Sequence, residues 1–254
     1  MEKITSSNNN RIVMYAKLNQ KKYRDEYGLF LLENFKLIVE CIKRGDEIVA
    51  VLIDETKLDK FPSIVKSFDE KILLMPSNVF SKISDTVTSQ GIIAVMKKPE
   101  QTSVSSLGGR ILVLDRIQDS GNVGTLMRSA LGFGFDGVVL IESADTYSPK
   151  VIRSSGGSIF NLKMAETTEK EFLFHVKHTG FAVFSADMDG ENLYGIKNFP
   201  ENMFLIVGNE GQGVSNTIME SSTNSISIPM SKHLESLNAG VSGSIIMSYI
   251  ASKK

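Results

Sequence analysis

Short apolar runs alternate with amphipathic stretches along the whole chain, and this pattern predicts its elements. Brief runs of β-branched and aliphatic residues indicate strands, and longer stretches with apolar residues every three or four positions indicate helices. The first hundred residues therefore predict a compact α/β module, with Gly45 ending one helix and Pro76 beginning another. The strands are predicted at 30–32, 48–53, 72–75 and 92–96, and the main helices at 11–23 and 35–44.

The second half of the chain is more regular, and its strands are nearly continuous apolar runs. Such runs are typical of strands covered by helices on both faces, which predicts a doubly wound α/β domain with a parallel sheet. The strands are predicted at 111–114, 138–141, 182–184, 204–207 and 226–228, and the helices at 123–133, 169–179, 214–221 and 237–250.

Between the two halves lies a segment rich in serine, glycine and proline, with few large apolar side chains. This composition is typical of a linker. The predicted organisation is a small domain over 1–97, a linker over 98–109 and a larger domain over 110–254.

Two apolar runs in the second half end in polar or glycine-rich turns, within the stretch 203–238. Because carboxyl ends of parallel strands meet at one edge of a sheet, we predict that these are neighbouring strands opening on one pocket.

Composition narrows the function classes. The chain is 42% hydrophobic, enough for a packed core, and its 28 basic and 29 acidic residues give a formal net charge of −1. Overall charge therefore indicates no nucleic-acid partner, and any basic surface must be local. One such segment carries five basic residues and no acidic one, which fits either a phosphate-contacting face or an ordinary solvated helix face. These residues are Arg11, Lys17, Lys21, Lys22 and Arg24.

A single cysteine, Cys41, excludes a disulfide framework and a multi-cysteine zinc site. Its apolar neighbours predict a buried helix thiol, and no metal site is predicted. The first residues lack the apolar core of a signal peptide, and no run is long enough to span a membrane. A cytoplasmic protein is expected.

Three segments could carry chemistry. In the first, a strand ends at Asp115, Asn122 is placed to cap a helix, and Arg128 flanks its apolar stripe. The second is the glycine-rich turn 208–214, and the third is 228–238, where Pro229 ends a strand and both Ser236 and Asn238 precede a helix. Taken singly, each segment is explained by ordinary caps and turns. A nucleotide-binding oxidoreductase is disfavoured, because GxGxxG does not follow the first strand.

Together, the three segments resemble the motifs of SpoU-type (TrmH-like) RNA 2′-O-ribose methyltransferases of the SPOUT superfamily. The first motif is matched by Asp115, Asp119, Asn122, Gly124, Arg128, Ala130, Phe133 and Gly134. The second is matched by Gly208, Glu210, Gly211 and Gly213, and the third by Ile228, Pro229, Met230, Ser236, Leu237 and Asn238. The first half is similar to the small L30e-like substrate-binding domain of the same family.

The resemblance implies a deep trefoil knot, S-adenosylmethionine as cofactor, and a homodimer with a shared active site. The cofactor contacts it implies are Gly208, Gly211, Ile228, Met230 and Leu237. In the family, the arginine matching Arg128 is the proton acceptor. A free arginine side chain loses its proton only above about pH 12, so orienting a substrate phosphate is an alternative role. Asn122 would position the ribose or the arginine, and Glu210, Ser236 and Asn238 would order the pocket.

The sequence departs from the family pattern in three places. The proline expected after Asp119 is missing, Gly240 stands where a serine is common, and Asn34 stands where a glycine commonly follows Glu33. The function expected from the resemblance is methylation of RNA, most consistent with ribosomal RNA. The alternatives are a transfer-RNA methyltransferase and a non-catalytic RNA-binding protein that keeps the knot.

Overall fold

The structure is a computed structural model, and it describes residues 1–231 and 233–253. The chain forms two compact units. The first unit comprises Met1–Pro99 together with Tyr147–Pro149, and the second comprises Glu100–Thr146 and Lys150–Lys254. The domain ranges expected from the sequence, and the linker between them, stay predictions.

The first unit is built on a five-stranded mixed sheet in the order β1-β4-β3-β5-β2. Strands β1, β4 and β3 run parallel, and β5 is antiparallel to both β3 and β2. All four predicted strands are confirmed to within one residue at either end, because each is a buried run of apolar side chains. The elements are β1 (Glu2–Lys3), α1 (Asn10–Lys17), α2 (Lys21–Tyr27), β2 (Leu29–Leu32), α3 (Phe35–Arg44), β3 (Ile48–Asp54), α4 (Pro62–Phe68), β4 (Ile72–Met75), α5 (Ser77–Phe80) and β5 (Ile92–Lys97).

The single helix predicted over 11–23 is wrong, because α1 and α2 are separated by a turn at Leu18–Gln20. Leu18 is fully buried, and its carbonyl accepts a hydrogen bond of 2.6 Å from the Arg24 guanidinium, which holds the turn. Two residues that were predicted to lie at helix ends in this unit are close to their expected positions. Gly45 has a φ of 86° at the end of α3, as predicted, whereas Pro76 lies just before α5 and not inside it.

The second unit contains a six-stranded sheet, and every strand in it is parallel to its neighbours. The strand order is β11-β9-β10-β6-β7-β8, which confirms the α/β class with a parallel sheet. The elements are β6 (Arg110–Asp115), α6 (Ser120–Gly132), β7 (Gly137–Ile141), α7 (Pro149–Ser155), β8 (Lys163–Thr167), α8 (Glu169–Thr179), β9 (Ala182–Asn192), β10 (Met203–Gly208), α9 (Asn216–Glu220), β11 (Asn224–Ser227) and α10 (Ala239–Ala251).

Helices cover both faces of this sheet. On one face, Phe172 of α8 packs with Phe204 and Ile206 of β10 in a buried cluster. On the other face, α10 approaches so closely that a Cβ placed on Gly243 would lie 2.3 Å from Leu126 of α6 and 3.1 Å from Val207. Successive residues of a strand point to opposite faces, so β10 is buried between these helix layers. In the described part of the chain, no helix has the length and apolarity that a membrane span requires.

Candidate active site

The first two candidate segments leave the sheet side by side. Strand β10 pairs in parallel with β6, and Gly208 lies opposite Asp115. The third segment follows β11, which was predicted to be a neighbour of β10. That prediction is wrong, because β9 lies between β10 and β11. Strand β9 extends to Asn192, well past the predicted end at 184, and pairs with both. All these strands are parallel, so their carboxyl ends still meet at one edge.

The turn after Gly208 is closed upon itself. Asn209 and Gly213 exchange two backbone hydrogen bonds of 3.0 and 2.9 Å, and the Asn209 Oδ1 accepts the backbone N–H groups of Gly211 and Gln212. A Cβ placed on Gly208 would lie 2.2 Å from the backbone carbon of Gly213. Only glycine fits at this position, because the backbone on the two sides of the turn is in close contact.

The base of this turn is held by two residues to which the sequence assigned no role. Asp115 is fully buried, and its carboxylate accepts the Ser215 N–H at 2.7 Å and the Arg116 guanidinium at 3.0 and 3.2 Å. Arg116 has a φ of 56°, and its carbonyl accepts the Asn209 side-chain amide at 2.9 Å. The hydrogen bonds that Arg116 donates to Asp115 raise the pKa of Arg116. An acidic residue at the end of a buried strand, followed by arginine, was the available signal.

Helix α6 begins at Ser120, three residues before the predicted start, and Asn122 is not its cap. Asp119 is the cap, because its carboxylate accepts the Asn122 backbone N–H at 2.9 Å. Lys150 donates to the other oxygen at 2.9 Å, and these two hydrogen bonds lower the pKa of Asp119, with that of Lys150 the stronger cause. With Asp119 as cap, the Asn122 side chain is available for a contact elsewhere.

That contact joins the first two segments. The Asn122 side-chain amide donates to Glu210 Oε1 at 2.8 Å. The third segment reaches the same place, since a Cβ placed on Gly240 would lie 3.1 Å from both the Asn122 Oδ1 and the Asn238 Oδ1. Asn238 is the N-cap of α10, and its Oδ1 accepts the Val241 N–H at 3.2 Å, which confirms its expected capping contact. The structure therefore brings Asn122 and Asn238 together beside Gly240, and joins Asn122 to Glu210.

Arg128 lies outside this group. It is six residues beyond Asn122, about 9 Å further along α6, and it is exposed. Its guanidinium lies over Gly156, where an added Cβ would be 3.5 Å from Nη1. Within residues 1–231 and 233–253, no carboxylate forms an ion pair with it. The guanidinium is therefore available to an anion that approaches from solvent.

The remaining residues expected at the cofactor site differ in exposure. Ile228, Met230 and Leu237 are half-buried apolar side chains, Gly211 is exposed, and Ser236 is exposed. Ile228 follows the last strand, which ends one residue earlier at Ser227. Half-buried apolar side chains fit the adenosyl group of S-adenosylmethionine, which has an apolar ring face and few polar edges.

The basic segment of the first unit is only partly a solvent-facing surface. Arg24 is 3% exposed and holds the Leu18 carbonyl, so its expected contact with RNA is wrong for this conformation. Arg11 is exposed but pairs with Glu2. Lys21 is exposed, and the amines of Lys17 and Lys22 lie 5.1 and 5.6 Å from the centre of the Tyr23 ring.

Cys41 is fully buried, as predicted, and burial raises the pKa of its thiol to about 12. Among the described residues, no cluster of three His, Cys, Asp or Glu side chains could hold a metal ion.

Known structures show the class of fold. The AdoMet-bound rRNA methyltransferase from Sinorhizobium meliloti superposes with a TM-score of 0.89 at 23% identity, covering 98% of this chain and 97% of that one. An RNA 2′-O ribose methyltransferase superposes with a TM-score of 0.82 at 29% identity, covering 99% and 98%. The fold is that of the RNA methyltransferases with a parallel α/β catalytic sheet.

The family follows from the sequence comparisons. The model of the SpoU rRNA Methylase family matches residues 109–248, and that of the MRM3-like substrate binding domain matches residues 9–94. The 23S rRNA (guanosine(2553)-2′-O)-methyltransferase RlmP of Bacillus subtilis is 30% identical over 252 residues, covering 98% of this chain and 99% of the relative. The chain belongs to the SpoU rRNA methylase family.

Proposed function

We propose that this protein transfers a methyl group from S-adenosylmethionine to a ribose 2′-hydroxyl of ribosomal RNA. The observation that carries the proposal is the hydrogen bond of 2.8 Å between Asn122 and Glu210, with Asn238 beside it. It unites three motifs, which lie far apart in sequence, at the carboxyl edge of a parallel sheet. The similarity to a ribosomal-RNA methyltransferase over nearly the whole chain supports the substrate class.

The cofactor site in this proposal is formed by the Gly208 turn and by the segment between β11 and α10. Gly208 and Gly211 would border the cofactor, and Ile228, Met230 and Leu237 would contact its apolar parts. S-adenosylmethionine supplies an electrophilic methyl group when it is bound. The backbone of the turn is fixed by hydrogen bonds to Asp115 and Arg116, which keeps this side of the cofactor site rigid.

A ribose hydroxyl is a weak nucleophile, so the chain must orient it and accommodate its proton. We assign Arg128 to the substrate, because its exposed guanidinium can hold a phosphate in a bidentate contact and stabilise a developing alkoxide. Asn122 is a positioning residue, bonded to Glu210 and adjacent to Asn238. Ser236 is exposed near the start of α10 and could donate to the substrate or cofactor from there.

The proposal includes four features of the whole protein. The chain after β10 and β11 would form the trefoil knot of the family, with α10 passing through it. Two copies would pair through α6 and α10, whose exposed side chains include Leu131 and Val241, at 38% and 47% exposure. The first unit would bind RNA, with Lys17, Lys21 and Lys22 as phosphate contacts, and the protein would act in the cytoplasm. Light scattering measures the oligomeric state directly.

The test is methyl transfer from radiolabelled S-adenosylmethionine to unmodified 23S rRNA and to unmodified transfer RNA, followed by mapping of 2′-O-methyl sites. We expect one methylated ribose in the ribosomal RNA. Methylation of transfer RNA alone would show that the substrate is transfer RNA and not ribosomal RNA. If calorimetry detects no binding of S-adenosylmethionine, the protein would be a non-catalytic RNA-binding protein.

Arg128→Ala should reduce methyl transfer by about two to three orders of magnitude, the usual effect of removing a group that stabilises transition-state charge. The cofactor Kd and melting temperature should be unchanged, because the side chain is exposed and unpaired within the described chain. Arg128→Lys keeps the charge and loses the planar fork, so strong recovery in this variant would favour simple electrostatics. Normal transfer by folded Arg128→Ala would refute the assignment.

A further inference from the structure

An eight-residue loop of the first unit, Ser84–Gly91, is held firmly although it projects from the fold. At its start, the half-buried Glu33 carboxylate accepts the Ser84 hydroxyl at 2.6 Å, the Thr86 hydroxyl at 2.7 Å and the Asp85 N–H at 3.1 Å. One carboxylate thus fixes three consecutive residues of the loop. Hydrogen bonds to a charged acceptor are the stronger kind, so this end is well anchored.

The other end of the loop is anchored by different elements. Gln90 Oε1 accepts the Phe35 N–H at 2.8 Å, in the first turn of α3, and the Lys57 amine donates to the Ser89 carbonyl at 2.8 Å. Gly91 has a φ of 89°, and a Cβ placed there would lie 2.4 Å from the Lys57 side chain. The loop is therefore clamped on both sides between β2, α3 and the start of β5.

Of the two residues between these anchors, Val87 is apolar and fully exposed. Val87 has a relative exposure of 106%, by far the highest among the exposed large apolar side chains of the described chain. A single exposed valine is not unusual in itself. Here, however, five side-chain hydrogen bonds keep the backbone beneath it in place, and the side chain gains no contact from them. This arrangement has a low ordering cost for binding, because the loop is already fixed.

The loop is continuous with the basic segment of the same unit. The Asn19 side-chain amide, in the turn between α1 and α2, donates to the Ile83 carbonyl at 3.0 Å, directly before the loop. Lys17, Lys21 and Lys22 flank that turn. The exposed apolar side chain of Val87 is suited to contact the face of a base, and the lysines are suited to contact phosphates. The segment and the loop both lie within residues 9–94, which match the substrate-binding domain model.

We infer that the α1–α2 turn and the loop Ser84–Gly91 form one RNA-contacting surface, on which Val87 packs against an unpaired base of the substrate. The inference rests on the proposed function and deepens it. Proteins recognise RNA mainly at single-stranded positions where bases are splayed out. Aliphatic side chains are known to wedge against base faces in nucleic-acid complexes. Lysine amines would hold the neighbouring phosphates and set the salt dependence of binding.

The test compares Val87→Ala with Val49→Ala in the full chain. Val49 is a matched control, being a 37% exposed valine at the opposite end of the same sheet, where β3 begins. The probe is Bacillus subtilis 23S rRNA transcribed in vitro without modifications. We expect Val87→Ala to weaken RNA binding about three- to tenfold, below the effect of losing an aromatic stacking contact. Val49→Ala should bind as the wild type does, and Val87→Leu should retain binding.

Two further measurements separate recognition from folding and from charge. The melting temperature and the cofactor Kd of Val87→Ala should match those of the wild type, because the side chain contacts nothing that holds the fold. The slope of log K against log salt should also be unchanged by Val87→Ala, whereas Lys21→Gln with Lys22→Gln should lower it by about two.

Equal RNA binding by the two alanine variants would overturn the inference, and so would a loss of binding that parallels a loss of thermal stability. The proposed function is judged separately on the wild-type protein. If the wild type methylates the transcript and Val87→Ala binds normally, only the loop assignment fails. If the wild type neither binds nor methylates it, the proposed function and the inference fail together.

Discussion

At the scale of single residues, the Asp115 carboxylate has more contacts in the candidate site than any residue matched to a catalytic role. It is fully buried and accepts three hydrogen bonds, from Ser215 and from both edges of Arg116. Through the Arg116 carbonyl it also supports Asn209, and through Asn209 the whole glycine turn. Asp115 therefore supports the glycine turn that we propose as part of the cofactor site.

Asp115→Asn tests this role with nearly the same shape. The variant leaves the half-buried Arg116 guanidinium without its anion, and breaking a fully buried ion pair by removing one partner typically costs about 3–5 kcal/mol. Because Arg116 is 28% exposed, we expect a smaller loss of about 2–3 kcal/mol in the free energy of unfolding, measured with urea. S-adenosylmethionine should also bind more weakly by calorimetry.

The control for this prediction is Asp119→Asn. Asp119 is also an aspartate paired with a cation, but its side chain is 48% exposed, and asparagine is an equally good helix cap. The expected cost is below about 1 kcal/mol, as for other exposed ion pairs. If the two variants lose the same stability, burial of Asp115 is not what makes it important.

At the scale of elements, the positions of most strands could be predicted from the sequence, but the order of the strands in the sheet could not. A buried strand is a local apolar run, so β4 (Ile72–Met75) was found at its actual ends. The edge strand β8 was missed because only Ala165 is buried in it, and β9 was cut short because its second half is polar. The order that puts β9 between β10 and β11 depends on long-range pairing, which local sequence does not encode.

Helix ends show the same division. The sequence placed Asn122 as the cap of α6, whereas in the structure Asp119 is the cap and accepts the Asn122 N–H. The Asn122 side chain donates instead to Glu210, 88 residues away, which is a long-range contact that local sequence does not encode. The residues of the candidate site were found through motif resemblance, since each one alone reads as a cap or turn. Arg24 shows the opposite failure, because a basic residue in a basic segment is here a buried donor to a carbonyl.

The glycine turn provides the prediction at this scale. Gly208→Ala should destroy the turn, because the new methyl group would lie 2.2 Å from backbone atoms of Gly213 and Val214, which cannot rotate away. We expect loss of measurable S-adenosylmethionine binding and a destabilisation of about 2 kcal/mol or more, as for other overpacked sites. Calorimetry and thermal unfolding measure the two effects.

Gly211→Ala is the matched control within the same turn. A Cβ placed on Gly211 would be 3.7 Å from the Asn209 Oδ1, an ordinary contact, so the fold should be kept. Any loss of cofactor affinity in this variant would then report a direct contact of Gly211 with the cofactor. Intact cofactor binding by Gly208→Ala would show that the turn does not form the site.

At the scale of the whole molecule, the two units do not correspond to two uninterrupted stretches of chain. Residues Tyr147–Pro149 belong to the first unit, although the chain on either side of them belongs to the second. The Tyr147 ring lies 4.8 Å from the Phe30 ring, and the Lys98 amine lies 5.2 Å from the centre of the Tyr147 ring. Sequence reasoning could not find this, because nothing near residue 147 marks it as a partner of β2.

The stability of the first unit should therefore depend on Tyr147. Opening of this unit can be followed at Cys41, which lies more than a hundred residues earlier in the chain. Tyr147 is 6% exposed, and removing a buried aromatic side chain typically costs about 3–5 kcal/mol. In native protein the Cys41 thiol is buried and its pKa is raised to about 12, so it should react with a thiol reagent at pH 8 only when the first unit opens. Tyr147→Ala should speed this labelling at least about tenfold, since opening becomes easier by more than 1.4 kcal/mol.

The control is Phe174→Ala, which removes an aromatic side chain of similar size that is 67% exposed on α8 in the second unit. It should leave the labelling rate of Cys41 unchanged.

The stability of the first unit should also depend on pH. Because the Cys41 thiol has a higher pKa in the folded protein than in the unfolded chain, the free energy of unfolding should fall as pH rises from about 9 toward 12, in the wild type and in both variants. Unchanged labelling of Tyr147→Ala at pH 8 would mean that Tyr147 does not stabilise the first unit, and that this unit is complete within its first 99 residues.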